Sequence, residues 1–243
     1  MSADSDTDLA ADLAQRAGEI ALALQAEGRL AGRELGDAGD RAANAYLMAA
    51  LREHRPDDGI LSEEAEDGDA RLAHSRVWIV DPVDGTREFA EGRDDWAVHV
   101  GLSVGGQAFA GAVALPALDM VLTSKVAGRA SMPATGKIVV SRSRPPQEAS
   151  RVARTLGMQL VPMGSAGAKA MAVVRGMADA YLHSGGQYEW DNCAPVAVAQ
   201  AHGLHCSRID GAPLRYNRPD VALPDLLICR AELAQPILSA LAS

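Results

Sequence analysis

Trp78-Ile79-Val80-Asp81-Pro82-Val83-Asp84-Gly85-Thr86 is the stretch whose reading decides the fold of this 243-residue chain. With Val77 it opens on an unbroken apolar run, which reads as a buried strand. The strand delivers Asp81 to its carboxyl end, the usual place for ligands in α/β sheets. Pro82 has no N–H to give and is expected to stop the ladder. Asp84 then lies near Asp81, and Gly85-Thr86 can open a helix or a turn whose free N–H groups make an anion site. One segment thus offers two hard oxygen ligands and a phosphate cradle. Magnesium takes such oxygens, keeps several waters and shares a few carboxylates with substrate phosphate. Asp-Pro and Asp-Gly are also plain turn dipeptides, so the rest of the chain has to decide between the two readings.

Upstream, Leu9, Leu13, Ile20 and Leu24 recur at near-helical spacing, which predicts a helix over about 8–26. A second is predicted over about 40–54, ended by Pro56 and Gly59. The segment 62–74 reads as an acidic loop. Downstream, 96–104 and 107–115 read as strands joined around Gly105-Gly106, with a further strand near 121–124. Residues 127–136 are small, contain Pro and Gly, and look like a connection. Beyond them strands (138–141, 160–163, 178–183, 226–229) alternate with helices (146–156, 166–175, 192–202, 232–241), an α/β layout with a mixed sheet. The reading is a single catalytic domain over 1–243. One subdomain, 1–130, pairs two helices with an antiparallel sheet and the metal site; an α/β subdomain, 137–243, completes the active site.

Composition narrows the function. Lys plus Arg total 23 against 32 Asp plus Glu, a formal net charge of −9. That balance disfavours a nucleic acid polymer as partner. Aromatics at 4% leave little for base stacking. No apolar run approaches the roughly 20 residues that cross a bilayer, and the acidic Met1–Asp6 start is unlike a secretory signal. A cytoplasmic protein with no membrane partner is expected. Cys193, Cys206 and Cys229 have no metal-knuckle spacing, and an odd count suits no disulfide framework.

Two further carboxylate groups bear on Asp81 and Asp84. Glu63-Glu64 follows the apolar pair Ile60-Leu61, and Trp190-Asp191 begins a predicted helix. Alone, the first is a solvated acidic pair and the second a helix N-cap. Together they place four carboxylates around one point, and such a cluster repels itself unless cations neutralise it. On that ground Asp84→Asn, which removes one of the repelling charges, is expected not to lower the metal-free melting temperature. Gly164-Ser165-Ala166-Gly167-Ala168-Lys169 lacks the Gly-Lys-Ser/Thr ending of a P-loop, and the acidic run 64–69 lacks EF-hand spacing.

The set Ser62-Glu63-Glu64, Trp78 to Thr86 and Trp190-Asp191 resembles the inositol monophosphatase-like, lithium-sensitive phosphatases, in order along nearly the whole chain. Arg87-Glu88-Phe89 is similar to the basic-Glu-Phe of the 3′-phosphoadenosine-5′-phosphate phosphatases within them. Residues 92–99 and 164–171 look like their actinobacterial branch. The resemblance implies a layered αβαβα sandwich of the inositol monophosphatase/fructose-1,6-bisphosphatase type. It implies two or three Mg2+ per active site: one held by Glu63, Asp81 and the Val83 carbonyl, a second by Asp81, Asp84 and Asp191, a looser third by Glu63 and waters. Glu63 and Thr86 would orient the attacking water, with Asp40 assisting the third metal or the nucleophile; at the predicted helix start Asp40 also reads as an N-cap. The phosphate would rest on the Gly85 and Thr86 N–H groups. Ser165 and Lys169 would face the nucleotide, Lys169 as a point charge on the phosphate that does not react, and Asp191 would also touch substrate. The implied substrate is a small phosphate ester, 3′-phosphoadenosine 5′-phosphate, and the implied assembly a homodimer. A broader inositol monophosphate or fructose-1,6-bisphosphate phosphatase has the same metal core. His99, in a strand pattern, is read as structural.

Overall fold

The computed structural model describes residues 3–125 and 133–242. Helices α1 (Ala3–Glu27) and α2 (Gly32–His54) lead into β1 (Gly59–Ser62) and β2 (Arg76–Asp84). A short 3-10 turn, Asp69–Ala73, lies between those strands. Then come α3 (Thr86–Ala90), β3 (Ala97–Val104), β4 (Gln107–Leu115) and β5 (Met120–Thr123). The first sheet runs β1-β2-β3-β4-β5, parallel only between β1 and β2. The second half comprises β6 (Lys137–Ser141), α4 (Gln147–Leu156), β7 (Gln159–Met163) and α5 (Ala166–Val174). It finishes with β8 (Ala180–Ser184), α6 (Glu189–Ala201), β9 (Leu204–Ser207), β10 (Asp225–Arg230) and α7 (Ala234–Ala242). Its sheet is mixed, in the order β7-β6-β8-β10-β9, with β7, β6 and β8 parallel.

Five layers result. Leu13, Ala17, Leu47 and Leu51 of α1 and α2 pack on Trp78, Val80, Val98 and Val100 of the first sheet. Val77 and Ile79 point the other way, into the core that α5 and α6 share between the two sheets. Strand β2 is therefore buried on both faces, which is why its apolar run does not alternate. Ala149 and Val152 of α4 and Ile237 of α7 cover Ile138, Leu182 and Leu227 on the far face of the second sheet. This is the αβαβα order that the family resemblance implies.

Three of the boundaries that differ from the sequence reading bear on the site. Helix α2 starts at Gly32, eight residues before Asp40, so Asp40 lies inside the helix and is no N-cap. Gly36 and Gly39 disguise this: they read as helix breakers, yet each is a close-approach point. A Cβ on Gly36 would sit 2.7 Å from Thr86 Cγ2, and one on Gly39 would sit 2.6 Å from Phe89 Cε1. Strand β2 does not stop at Pro82. Asp81 pairs with His99 and Asp84 with Ala97, leaving one extra residue in a bulge that absorbs the proline. Helix α6 starts at Glu189, so Asp191 is its third residue and not its N-cap. Of the expected connection 127–136, residues 127–132 lie outside the described residues. The Thr135 and Gly136 N–H groups are held by Asp179, the latter at 2.6 Å.

Candidate metal and phosphate site

The bulge in β2 turns Asp81 and Asp84 toward the same cleft, and the first turn of α6 brings Asp191 over them. Ligand oxygens of the three lie within 4.8 Å of one another. Asp81 is 2% exposed, and its Oδ1 is buried with no hydrogen-bond partner. Asp191 accepts the Tyr188 N–H at 2.7 Å, which fixes its rotamer against the helix start. Asp84 is more heavily engaged. It caps α5, accepting from Ala166 N at 3.0 Å, from Gly167 N at 2.6 Å and from the Ser165 hydroxyl. His99 Nε2 stands 3.1 Å from the same carboxylate, and its Nδ1 lies 3.0 Å from the Trp190 carbonyl.

These contacts separate the three carboxyl groups electrostatically. Burial, then Glu63 and Asp84, push Asp81 well above its ordinary value. Burial and Asp84 raise Asp191 to about 7. For Asp84 burial also works upward, but His99, Lys169 and the Ser165 hydroxyl override it and hold the carboxyl below the usual range. Two groups with raised pKa beside one orphaned buried oxygen fit a cation site: a metal would supply the charge and the partner that the protein withholds. The donor set, all carboxylate oxygen, suits a hard divalent ion.

The remaining expected groups surround this triad. Glu63 faces Asp81 from the exposed rim, outside the tight triad. Desolvation raises its pKa; Asp81 opposes that rise, while Asp84 and Glu64 add to it. Thr86 Oγ1 lies 3.0 Å from Asp40 Oδ2 and 3.1 Å from the Val83 carbonyl. A hydroxyl has one proton to give, so a protonated Asp40 lets Thr86 accept from it while donating to Val83. Burial and then Glu64 raise Asp40 to about 8, which favours that arrangement. Gly85 and Thr86 open α3, so their N–H groups belong to an uncapped first turn.

Beyond Asp84 the cleft continues into a cavity of about 150 Å³ between α3 and the second sheet. Sequence reasoning put Lys169 here as a free charge, but its ammonium turns back. It donates to the Gly164 carbonyl at 2.9 Å and to the Ser165 carbonyl, lies over the Tyr181 ring and is only 4% exposed. Burial brings it down to about 8. Ser165 spends its hydroxyl on Asp84. The polar groups missed from the sequence are Arg142, Arg144 and His183. Arg142 is clamped by Glu88 at 2.5 Å and Glu91 at 2.8 Å. Arg144 is exposed and forms no ion pair with a described residue. His183 is 5% exposed with both ring nitrogens unpartnered. Burial, Lys169 and Arg144 lower it to about 4. A signal was present: Arg142 and Arg144 follow strand β6 directly, at the ligand-bearing end of a parallel sheet.

The fold and this carboxylate site define a class, and comparison with known proteins agrees with it. Residues 3–242 match the inositol monophosphatase family, and the chain belongs to that family. It is 53% identical over 238 residues to the 3′-phosphoadenosine 5′-phosphate phosphatase of Mycobacterium tuberculosis, covering 93% of this chain and 89% of the relative. It is 32% identical over 194 residues to the 3′(2′),5′-bisphosphate nucleotidase CysQ of Escherichia coli, covering 74% and 78%. Among solved structures, CysQ from Bacteroides thetaiotaomicron superposes with a TM-score of 0.79 at 25% identity, covering 93% of this chain and 97% of that one.

Proposed function

We propose that this chain removes the 3′-phosphate of 3′-phosphoadenosine 5′-phosphate, giving AMP and phosphate, with magnesium as cofactor and water as nucleophile. The broader class, a phosphoric monoester hydrolase, follows from the family. The observation that carries the finer reading is the juxtaposition of opposite charge in one cleft. The triad Asp81, Asp84 and Asp191 opens directly onto a wall bearing the guanidinium groups of Arg142 and Arg144, with neutral His183 beside them. An inositol monophosphate needs only the first half of such a cleft; a bisphosphorylated nucleotide has a second dianion for the other.

In this reading Glu63, Asp81 and the Val83 carbonyl hold one magnesium and Asp81, Asp84 and Asp191 a second, with a looser third near Glu63. When bound, the ions lower the pKa of water and meet the charge spread over the phosphoryl oxygens. Glu63 and Thr86 orient the attacking water, and the Asp40–Thr86–Val83 chain of hydrogen bonds leaves the one remaining Thr86 lone pair for it. The Gly85 and Thr86 N–H groups receive phosphate oxygens. Glu88 acts at one remove: its grip on Arg142 sets the start of the segment that presents Arg144. Lithium inhibition, a homodimer and a cytoplasmic location accompany this reading.

The test is a substrate panel on purified protein with magnesium, reading phosphate release from 3′-phosphoadenosine 5′-phosphate, inositol 1-phosphate and fructose 1,6-bisphosphate. A kcat/KM for the nucleotide at least tenfold above both others is expected. Preference for either sugar phosphate would replace the proposal with the broader phosphatase. Activity that persists in excess chelator would refute the metal assignment.

A further inference from the structure

The metal-bearing carboxylates sit on separate elements: Asp81 and Asp84 on β2, Asp191 on α6, and Glu63 at the start of an exposed acidic loop. The near side of that loop is fastened to α2, where the Ser62 hydroxyl donates to Asn44 Oδ1 at 2.8 Å. From Glu66 to Ala70 the chain is exposed. Its far side ends on Arg71, a cation only 3% exposed in an otherwise solvated segment.

Arg71 uses its whole guanidinium. Nε donates to Asp67 Oδ1 at 2.7 Å and one terminal nitrogen to Asp67 Oδ2 at 2.6 Å, closing the loop on itself. That nitrogen also reaches the Arg218 carbonyl at 2.9 Å, and the other reaches Asn217 Oδ1 at 2.8 Å. Asn217 returns the contact, its Nδ2 donating to the Arg71 carbonyl at 3.3 Å and the His74 carbonyl at 3.2 Å. Residues 217–218 are in turn held by Glu189, fully buried in the first turn of α6. Its two oxygens accept the Asn217 N–H at 2.6 Å and the Arg218 N–H at 2.9 Å. Asp191 follows two residues later. The loop that starts at Glu63 and the helix that carries Asp191 therefore lean on one shared anchor, joined by charge-assisted bonds in a buried setting.

We propose that Arg71 is a positioning residue: through residues 217–218 and Glu189 it holds the Glu63 loop at a fixed spacing from Asp191. The inference rests on the metal-dependent reading above. Carboxylates on independent elements drift apart when unneutralised, and a fixed frame keeps them ready for the cation. Residues that orient metal ligands from behind change metal affinity about 10- to 100-fold when removed. Lys in place of Arg71 retains the charge but cannot reach Asp67, Asn217 and Arg218 together.

The experiment is magnesium titration of substrate-free protein by calorimetry, with hydrogen exchange over 63–71, on wild type, Arg71→Lys and Arg71→Ala. Arg76→Ala is the control. It breaks the ion network of Arg76 with Asp58 and Asp6 at the opposite end of β2 and reports generic loss of stability. Expected for both Arg71 variants is magnesium binding weakened about tenfold, with faster exchange confined to 63–71 and 217–218, while Arg76→Ala melts lower but binds as wild type does. Unchanged binding and exchange in Arg71→Lys, or equal weakening in Arg76→Ala, overturns the role of Arg71 and leaves the metal reading intact. Absence of magnesium binding by wild type overturns both.

Discussion

Without metal, the protein should lose stability as pH rises through neutrality, the opposite of the usual behaviour of carboxylates. Asp40 is raised from an ordinary 3.8 to about 8 and Asp191 to about 7. Each binds its proton more tightly in the fold than in the unfolded chain. The stability each adds is complete below pH 4 and is lost as pH climbs through the raised value. Between pH 6.5 and 8 the linkage integral gives a loss of about 1.6 kcal/mol for Asp40 and about 0.8 kcal/mol for Asp191. His183, lowered from 6.5 to about 4, runs the other way. Its contribution grows with pH and has only about 0.4 kcal/mol left to give above pH 6.5. Lys169, lowered to about 8, also runs the other way and returns about 0.4 kcal/mol. The net fall is about 1.6 kcal/mol across this window, and the raised pKa values of Asp81 and His99 act in the same direction. The assay is urea unfolding in excess chelator at intervals from pH 6.5 to 8, repeated with magnesium. Magnesium should flatten the profile, because the ionised carboxylates gain their partner. Asp40→Asn should remove about 1.6 kcal/mol of the metal-free fall, twice the share of Asp191. A metal-free profile that is flat or rises over this interval would refute the electrostatic account of the site.

Asp84 should behave unlike its neighbours. Asp84→Asn is expected to abolish turnover and to lower metal-free stability by about 2–4 kcal/mol, since its carboxylate caps α5 with charge-assisted bonds; Asp191→Asn should not lower it, and urea unfolding of the pair checks the contrast. Gly167→Ala places a Cβ 2.1 Å from His99 Nε2 and 2.9 Å from Ala97 Cβ, so a stability loss of about 1–3 kcal/mol is expected by thermal melting. Arg144→Ala should cut kcat/KM roughly tenfold for 3′-phosphoadenosine 5′-phosphate and leave inositol 1-phosphate unchanged. Lys169→Ala should reduce both substrates alike, because Lys169 braces the Gly164–Ser165 turn; the two variants assayed on both substrates separate these roles.

The reversal at Asp84 shows where sequence reasoning ends. A count of carboxylates predicts repulsion, and for Asp81 and Asp191 burial and neighbouring charge bear that out. Nothing local to Asp84 announces that the start of α5, over 80 residues away, will aim its N–H groups at it. The α/β layout was legible because β2, buried on both faces, writes an unbroken apolar run, and the later strands and helices alternate cleanly; the five-layer order came from the family resemblance. The start of α2 was not, because Gly36 and Gly39 serve contacts with Thr86 and Phe89 that no helix propensity records. The short β1 and β9 carry too few residues for a period to show.

The substrate half of the cleft was the least legible, and the reason is topological. Arg142 and Arg144 leave the end of β6, while His183 lies on β8, over 35 residues further on. Parallel pairing of β6 with β8 brings those strand ends side by side. Lys169 drew attention because it stands in a turn that looks built for phosphate, yet two buried carbonyls take up its ammonium. Three donors on that nitrogen leave one N–H at most for a ligand. Arg144 keeps all five of its own, free of any ion pair among the described residues, and a guanidinium matches a phosphate dianion edge to edge. The neutral ring of His183, with one N–H to give, adds to that surface opposite the three carboxyl groups. That asymmetry across one cleft is a physical reason to expect a ligand with one phosphate for the metals and another for the cations.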